Sequence, residues 1–154
     1  MSYTLRKADT EIKKQTFIPL LLLADESIDK IYEYLPNGDL YYLEDSSGHV
    51  VGVIAMTKIN QDTMEIKNVA IKKEQQGQGL GKRIISLTLE QYMEQEYHHF
   101  IVGTANSSID NLAFYQKLGF RLYDIKKDFF RSYPEEIWEN GIQAIDMIML
   151  EKNE

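Results

Sequence analysis

Apolar and polar positions divide the chain into short segments of two kinds, one alternating and one spaced as on a helix. The pattern predicts strands at 3–8, 40–45, 50–59, 63–71 and 99–105, followed by two closing strands at 120–129 and 141–150. It predicts helices at 10–23, 25–35, 79–95 and 107–119. Pro19 interrupts the first helix or delays its start, because proline lacks an amide donor.

The last predicted helix carries signals at both ends. Ser107 and Asp110 have the spacing of a capping box, and Gly119 lies where a left-handed residue ends a helix. The order of elements is mixed, with hairpins early, one strand-helix-strand unit in the middle and antiparallel strands late. This order predicts an α+β, three-layer sandwich instead of a doubly wound parallel sheet.

Composition narrows the classes of protein. The 154 residues predict a single domain, 1–154, with a net charge of −7 and no cysteine. A disulfide framework, a thiolate nucleophile and cysteine-based zinc sites are therefore excluded. No histidine and carboxylate cluster has metal-ligand spacing, so no metal is expected. The acidic balance without a basic stripe argues against nucleic acid, and the lack of a long apolar run argues against a membrane and predicts a cytoplasmic protein.

Three glycines at alternate positions, Gly77, Gly79 and Gly81, follow the strand at 63–71 and open a helix. Glycine allows positive φ and close approach of a ligand, and the first amides of a helix attract an anion such as a phosphate. A P-loop is excluded because Gly81 and Lys82 are followed by arginine. A dinucleotide fingerprint is excluded because its glycine spacing is broken.

A third pattern fits the segment. Gln76, Gly77, Gln78, Gly79, Leu80 and Gly81 match Q/R-x-x-G-x-G/A, and the block "EIKNVAIKKEQQGQGLG" with the later "NLAFYQKLGF" resembles the GCN5-related N-acetyltransferase (GNAT) family. The resemblance implies that family's fold, with a mixed, mostly antiparallel central sheet of six to seven strands and about four helices. It also implies an acetyl-CoA-dependent N-acetyltransferase that moves an acetyl group to a primary amine of a small molecule or peptide.

The resemblance assigns the coenzyme contacts. It implies that the strand at Val69, Ala70 and Ile71 binds pantetheine, with the amide of Ala70 or Ile71 facing the thioester carbonyl. It implies that Gln76 and the amides from Gly77 to Lys82 hold the pyrophosphate. The family often has an asparagine seven residues before its tyrosine, where this chain has Ser108. Asn106 replaces that contact, or the Ser108 hydroxyl makes it.

Two residues are candidates for the chemistry. Tyr115 matches the family's tyrosine that protonates the departing thiolate, and the alternative is a tyrosine that only packs its ring. Glu65 matches the glutamate that acts as base in some members, and the alternative is a solvated carboxylate beside Lys67. A regular strand would place Glu65, Lys67, Val69 and Ile71 on one face, although the family often has a bulge here.

The acceptor is less defined by the sequence. Aromatic and acidic residues share the segment 126–141, which suits a cationic amine. The same aromatic residues would equally serve as the core of a long loop or a contact in a homodimer. Two further alternatives stay open: an acyltransferase for a longer acyl-CoA, and a coenzyme A binding or sensing module without turnover. The absence of cysteine favours direct attack by the amine in a ternary complex.

Overall fold

The computed structural model describes residues 2–25 and 27–154, which fall into two compact units, Met1–His98 and His99–Glu154. The first unit follows the order β1 (Thr4–Ala8), α1 (Glu11–Gln15), α2 (Ile18–Leu21), α3 (Ile28–Tyr34), β2 (Asp39–Glu44), β3 (Val50–Lys58), β4 (Thr63–Ile71) and α4 (Leu80–Met93). Strands β1 to β4 pair in chain order, and each pair is antiparallel.

The first unit has helices on both faces of its sheet. Leu40 and Tyr42 of β2 belong to a buried cluster with residues of α2 and α3. Tyr41, between them, contacts Tyr92 of α4 at 5.9 Å between ring centroids. Successive side chains of a strand point to opposite faces. Leu40 and Tyr42 therefore pack against α2 and α3 on one face of the sheet, and Tyr41 packs against α4 on the other.

Proline and polar caps set the short helices. The predicted helix 10–23 is two helices, because α1 ends before Thr16 and Pro19 occupies the first turn of α2. The Thr10 hydroxyl oxygen accepts a hydrogen bond from the Lys13 amide at 3.1 Å and starts α1. The Ser27 hydroxyl likewise accepts from the Lys30 amide at 3.3 Å, so the predicted helix 25–35 begins at residue 28. Residue 26 lies outside the described residues.

A bulge in β4 changes which side chains share a face. Asn68 pairs with Ala55, and Ile66 pairs with Met56, so Lys67 is an extra residue in β4. Paired residues lie on the same face, which puts Glu65 on the face of Asn68. The face that a regular strand would have given, Glu65 with Val69 and Ile71, therefore does not form, because β4 has the bulge that the family resemblance indicated.

Lys14 joins α1 to the segment after α3. Its ammonium group donates to the carbonyl oxygens of Leu35 at 3.3 Å, Pro36 at 3.3 Å and Gly38 at 2.8 Å. Only 13% of the side chain is exposed, and the same ammonium nitrogen lies 3.8 Å from the Glu11 carboxylate. The contact satisfies carbonyls that follow a helix end and have no partner within the helix.

We expect Lys14→Met to lower the free energy of unfolding by about 1–2 kcal/mol, because a charged hydrogen bond contributes about that much or more. Urea unfolding followed by circular dichroism measures it. Lys58→Met, on an exposed lysine of the same unit, is the control and should change stability by less than about 0.5 kcal/mol. Equal effects in the two variants would show that the carbonyl contacts contribute nothing.

The second unit is a smaller antiparallel set. It contains β5 (His99–Ala105), α5 (Ile109–Lys117), β6 (Arg121–Lys126), β7 (Trp138–Glu139), β8 (Ile142–Gln143) and β9 (Met147–Asn153). Strand β9 pairs with both β5 and β6, and β7 pairs with β8 as a separate ribbon. The predicted closing strand 141–150 is thus split into β8 and the start of β9.

The two ends of α5 differ in how well the sequence predicted them. Gly119 has φ +96°, as expected for the residue that ends a helix in the left-handed region. The predicted capping box is wrong: Ser108 is the N-cap and accepts no capping hydrogen bond from the helix. The hydroxyls of Ser107 and Ser108 instead donate to one oxygen of Glu139, at 3.1 and 2.6 Å.

The predicted α+β class with mostly antiparallel strands is confirmed. Apart from the β7–β8 ribbon, the described chain has seven paired strands, β1 to β4 in the first unit and β5, β6 and β9 in the second, and its α-helices number five against about four expected. Within residues 2–25 and 27–154, no helix has the length and apolar character needed to cross a membrane.

Candidate active site

The segment between β4 and α4 has the backbone geometry of an anion site. Gly77 and Gly79 have φ values of +82° and +76°, which L-residues with a side chain rarely adopt. A Cβ added at either position would meet nothing within 4 Å, so the space beside this backbone is open. The side-chain Nε2 of Gln76 donates to the carbonyl of Ile71 at 3.0 Å and closes the turn that precedes the glycines.

The same segment ends at the amino terminus of a long helix. Gly79 is the N-cap of α4, and the first helical hydrogen bond runs from the Arg83 amide to its carbonyl at 3.1 Å. The amides of Leu80, Gly81 and Lys82 precede that bond and have no partner within the helix. Together with the helix dipole, these donors favour a bound anion.

Strand β4 leads into this loop and lies very close to β3 at its end. Ala70 pairs with Val53 and Ile71 with Gly52. A Cβ at Gly52 would lie 2.5 Å from the Ile71 Cδ1 atom and 3.0 Å from the Ala70 carbonyl oxygen. A larger residue at position 52 would have to displace the end of the Ile71 side chain and would press on the Ala70 carbonyl, a constraint that the sequence pattern did not indicate.

Glu65 is a buried carboxylate at the other end of β4. Its side chain is 8% exposed, and one oxygen lies 3.4 Å from the Lys67 ammonium nitrogen. The expected neighbour Lys67 is confirmed, whereas the alternative of a solvated carboxylate does not fit this burial. A buried carboxylate with a single lysine neighbour keeps acceptor capacity for a further donor.

A polar group that the sequence analysis missed lies on the Glu65 face of β4. The Asn68 amide donates to the Leu21 carbonyl and to the Tyr34 hydroxyl, each at 3.0 Å, and so fixes α2 and α3 to the strand. Its Oδ1 atom is buried and has no hydrogen-bond partner among residues 2–25 and 27–154.

Burial raises the pKa of Asp25 above its ordinary value, and hydrogen bonding from Ser27 and the charge of Lys67 oppose this.

Tyr115 lies on α5 in the second unit and is buried. Its ring makes edge contacts with Phe114 at 5.1 Å and Phe120 at 5.6 Å between centroids. Burial raises the pKa of its hydroxyl, so the group stays protonated throughout the neutral range. The ring packing of one interpretation is present in the structure, whereas the role of Tyr115 as general acid stays a prediction.

The side chain of Asn106 is already used within the second unit. It donates to the Gln143 carbonyl at 3.1 Å and accepts from the amides of Ile145 and Asp146 at 2.9 and 3.0 Å. Ser108 donates its only hydroxyl proton to Glu139 but keeps lone pairs that accept. Glu139 holds this turn in place and was not predicted, since it is distant in sequence.

The late aromatic residues form two environments. The rings of Phe129, Phe130 and Tyr133 contact one another at 5.1 to 6.4 Å between centroids. Trp138 is 59% exposed, and its indole donates to Glu136 at 3.2 Å. The contacts among Phe129, Phe130 and Tyr133 match the alternative in which aromatic residues form the core of the late loop. Trp138 lies at the surface.

Comparison with known proteins identifies the family. The model of the acetyltransferase (GNAT) family matches residues 9–120, which is most of the chain. The chain belongs to the GNAT family. The predicted fold and the predicted enzyme class, an acetyl-CoA-dependent N-acetyltransferase, are therefore confirmed.

Three relatives support this GNAT assignment over nearly full length. An uncharacterized N-acetyltransferase, YvbK, of Bacillus subtilis is 42% identical over 85% of this chain and 84% of its own length. A GNAT acetyltransferase from Elizabethkingia anophelis, solved with acetyl-CoA bound, is 38% identical with a TM-score of 0.88, covering 99% of this chain and 98% of its own. A Bacillus subtilis acetyltransferase in complex with CoA is 36% identical with a TM-score of 0.89 and covers 99% of each chain.

The predicted site residues are divided between the two units of this GNAT chain. The first unit carries Glu65, the strand 69–71 and the loop 76–82, which are contiguous along β4 and the start of α4. The second unit carries Asn106, Ser108 and Tyr115. Each group is held by its own backbone and hydrogen bonds as described above.

Proposed function

We propose that this enzyme binds acetyl-CoA with the pyrophosphate at residues 76–82 and the pantetheine arm along residues 69–71. The observation that carries the proposal is the pair of left-handed glycines, Gly77 and Gly79, at the amino terminus of α4 with open space beside them. Two relatives of 38% and 36% identity, solved with acetyl-CoA and with CoA, support the same ligand here. Asn106 keeps one side-chain N–H that can donate and Ser108 keeps lone pairs that can accept, so either residue is proposed for an added pantetheine contact.

The proposed reaction is direct transfer of the acetyl group to a neutral primary amine. The amine nitrogen attacks the thioester carbonyl, and the amide of Ala70 or Ile71 stabilises the resulting oxyanion. Glu65, directly or through a water, takes the proton that the amine loses. The carbon–sulfur bond then breaks, and Tyr115 gives its proton to the thiolate. The products are the N-acetylated amine and coenzyme A.

A ternary complex is proposed because the chain has no cysteine to carry an acetyl group. Initial rates measured over a grid of acetyl-CoA and amine concentrations test this point. Intersecting double-reciprocal lines are expected, whereas parallel lines would show an acetyl-enzyme intermediate. An acyl-chain series separates acetyl transfer from transfer of a longer acyl group.

The acceptor is proposed to be a primary amine of a small molecule or a peptide, and a cationic amine suits the chain best. The net charge of −7 and the carboxylates Asp25 and Glu65 in the first unit support a cationic acceptor. The acceptor class, the cytoplasmic location, the single domain 1–154 and a homodimer all stay predictions.

The first test is calorimetric titration of the whole chain with acetyl-CoA and with coenzyme A, followed by thiol release over a panel of amines. Binding in the micromolar range with amine-dependent thiol release is expected. Binding without thiol release from any amine would favour a coenzyme A sensing module. Absence of binding to both ligands would contradict the loop assignment.

We expect Glu65→Gln to lower kcat/KM for the amine by about tenfold or more, because general base catalysis contributes about 100-fold or more where it operates. The affinity for acetyl-CoA should stay within about twofold, since the change removes charge and little volume. Glu90→Gln on the exposed face of α4 is the matched control. A kcat/KM for Glu65→Gln equal to that of the control would remove Glu65 from the base role.

A further inference from the structure

A cavity of about 610 Å³ lies in the first unit between the two short helices α1 and α2 and the segment that follows β4. Its size is within the range of pockets that hold small molecules. The apolar part of its wall comes from Phe17, Pro19, Leu20, Leu23 and Val50. Phe17 belongs to the buried core cluster, and Leu20 and Val50 pack against that cluster.

Cationic side chains surround this apolar wall. Lys13, Lys72 and Lys73 line the cavity, and none of them has an ion pair with a carboxylate in the part of the chain that the structure describes. Glu74 also lines the cavity, so three ammonium groups against one carboxylate leave an excess of two positive charges. The cavity wall is therefore positively charged, although the chain as a whole has a net charge of −7.

Lys13 is held beside aromatic rings near this wall. Its ammonium nitrogen lies 5.7 Å from the Phe17 ring centroid and 5.1 Å from that of Tyr42. These cation–π distances orient the lysine without neutralising its charge. The cavity therefore combines an apolar surface with positioned cations, which is the complement of a molecule with an apolar body and an anionic group.

The cavity lies at the opposite end of β4 from Glu65. Glu65 and Lys72 are seven positions apart along and just beyond β4, and at about 3.3 Å per residue the separation is about 20 Å. Lys72 directly follows the residues 69–71 that are proposed to hold the pantetheine arm, so the cavity borders the proposed coenzyme site. The cavity also adjoins the start of the glycine loop, since Lys72 and Lys73 precede Gln76 by three to four residues.

We propose that this cavity binds a small organic carboxylate with an aromatic or aliphatic body, with its carboxylate at Lys72 and Lys73 and its apolar body against Leu20, Leu23 and Val50. The proposal does not depend on the acetyl-transfer mechanism. It concerns a ligand other than the acetyl donor.

Naphthalene-2-carboxylate is a suitable probe, because the neutral naphthalene-2-carboxamide has nearly the same shape without the charge. We expect the carboxylate to bind the whole chain about tenfold more tightly than the amide in calorimetric titrations, a difference of about 1.4 kcal/mol. The double variant Lys72→Gln/Lys73→Gln should remove this difference. Lys58→Gln, an exposed lysine at the far end of β3, should leave it unchanged.

The apolar wall is tested separately with Leu20→Asp, which should weaken binding of both the carboxylate and the amide. Its thermal midpoint is compared with that of the parent chain to confirm folding. Equal affinity for carboxylate and amide, or an equal loss in Lys58→Gln, would overturn the proposal. Complete displacement of the carboxylate by coenzyme A would also overturn it, because the cavity would then belong to the coenzyme site.

Discussion

Gly79→Glu is expected to reduce acetyl-CoA affinity by about 100-fold or more. The residue is the N-cap of α4, and its neighbouring amides are the proposed donors to the pyrophosphate. Two charged hydrogen bonds lost are worth about 3 kcal/mol or more, which corresponds to about 100-fold in affinity. The new carboxylate adds repulsion with the phosphates. Calorimetric titration with acetyl-CoA measures the effect.

Gly48→Glu is the matched control for this variant. Gly48 has φ +82°, close to the +76° of Gly79, and a Cβ there also meets nothing within 4 Å. Both substitutions therefore carry the same backbone cost, roughly 1–2 kcal/mol for a left-handed residue with a Cβ. The two variants should lose similar stability, and only Gly79→Glu should lose coenzyme affinity. Retained affinity in Gly79→Glu would show that the glycines serve the turn alone.

The glycine loop was predictable because its signal is local. A strand, a cluster of glycines and an amphipathic helix follow one another in the sequence, and each has its own pattern. The positive φ values of Gly77, Gly79 and Gly119 fall where the sequence places them. Such features depend on the backbone of a few adjacent residues, so a short stretch determines them.

The bulge in β4 was not predictable from alternation. Residues 64–67 alternate between apolar and polar side chains, but Asn68 interrupts this period and the residues 69–71 are apolar without alternation, so the pattern does not show which residue is extra. The family resemblance indicated a bulge in this strand, and the pairing with β3 identifies Lys67 as the extra residue. Its consequence is large, because it moves Glu65 to the face that carries Asn68 and changes which groups surround the candidate base.

Long-range hydrogen bonds explain the errors in the second unit. Ser107 and Asp110 have capping-box spacing, which predicts a local hydrogen bond. Instead, the hydroxyls of Ser107 and Ser108 donate to Glu139, which lies 32 and 31 residues away in the sequence. The Asn106 side-chain oxygen accepts hydrogen bonds from the amides of Ile145 and Asp146, which lie between β8 and β9. These two amides therefore do not pair with another strand, and the single strand predicted at 141–150 is interrupted there. Sequence spacing contains no record of such partners.

Charge gives the first unit two different surroundings along β4. The end near Glu65 has carboxylates beside lysines, since Lys67 lies 3.4 Å from Glu65 and its charge also acts on Asp25. The end near residues 72–82 has Lys72, Lys73, Glu74 and the first amides of α4. A single net charge for the chain conceals this separation.

Tyr115→Phe is expected to lower kcat by about 10- to 100-fold while acetyl-CoA affinity stays within about twofold. A positioned general acid contributes about 100-fold or more. Phenylalanine keeps the edge contacts with Phe114 and Phe120, so the packing of the ring is preserved. Because burial raises the pKa of the Tyr115 hydroxyl, the parent enzyme should keep its proton donor as the pH rises through the neutral range.

The control for this variant is Tyr123→Phe, which removes a hydroxyl from a side chain that is 44% exposed in the same unit. Steady-state thiol release with saturating acetyl-CoA and amine gives kcat for both variants and the parent. Tyr115 acts as the acid if only its variant loses turnover and if the loss is smaller with an acyl donor whose leaving thiol is more acidic. Such a donor needs no protonation of the thiolate, so a loss of the same size with both donors would indicate a packing effect and assign the proton to another group.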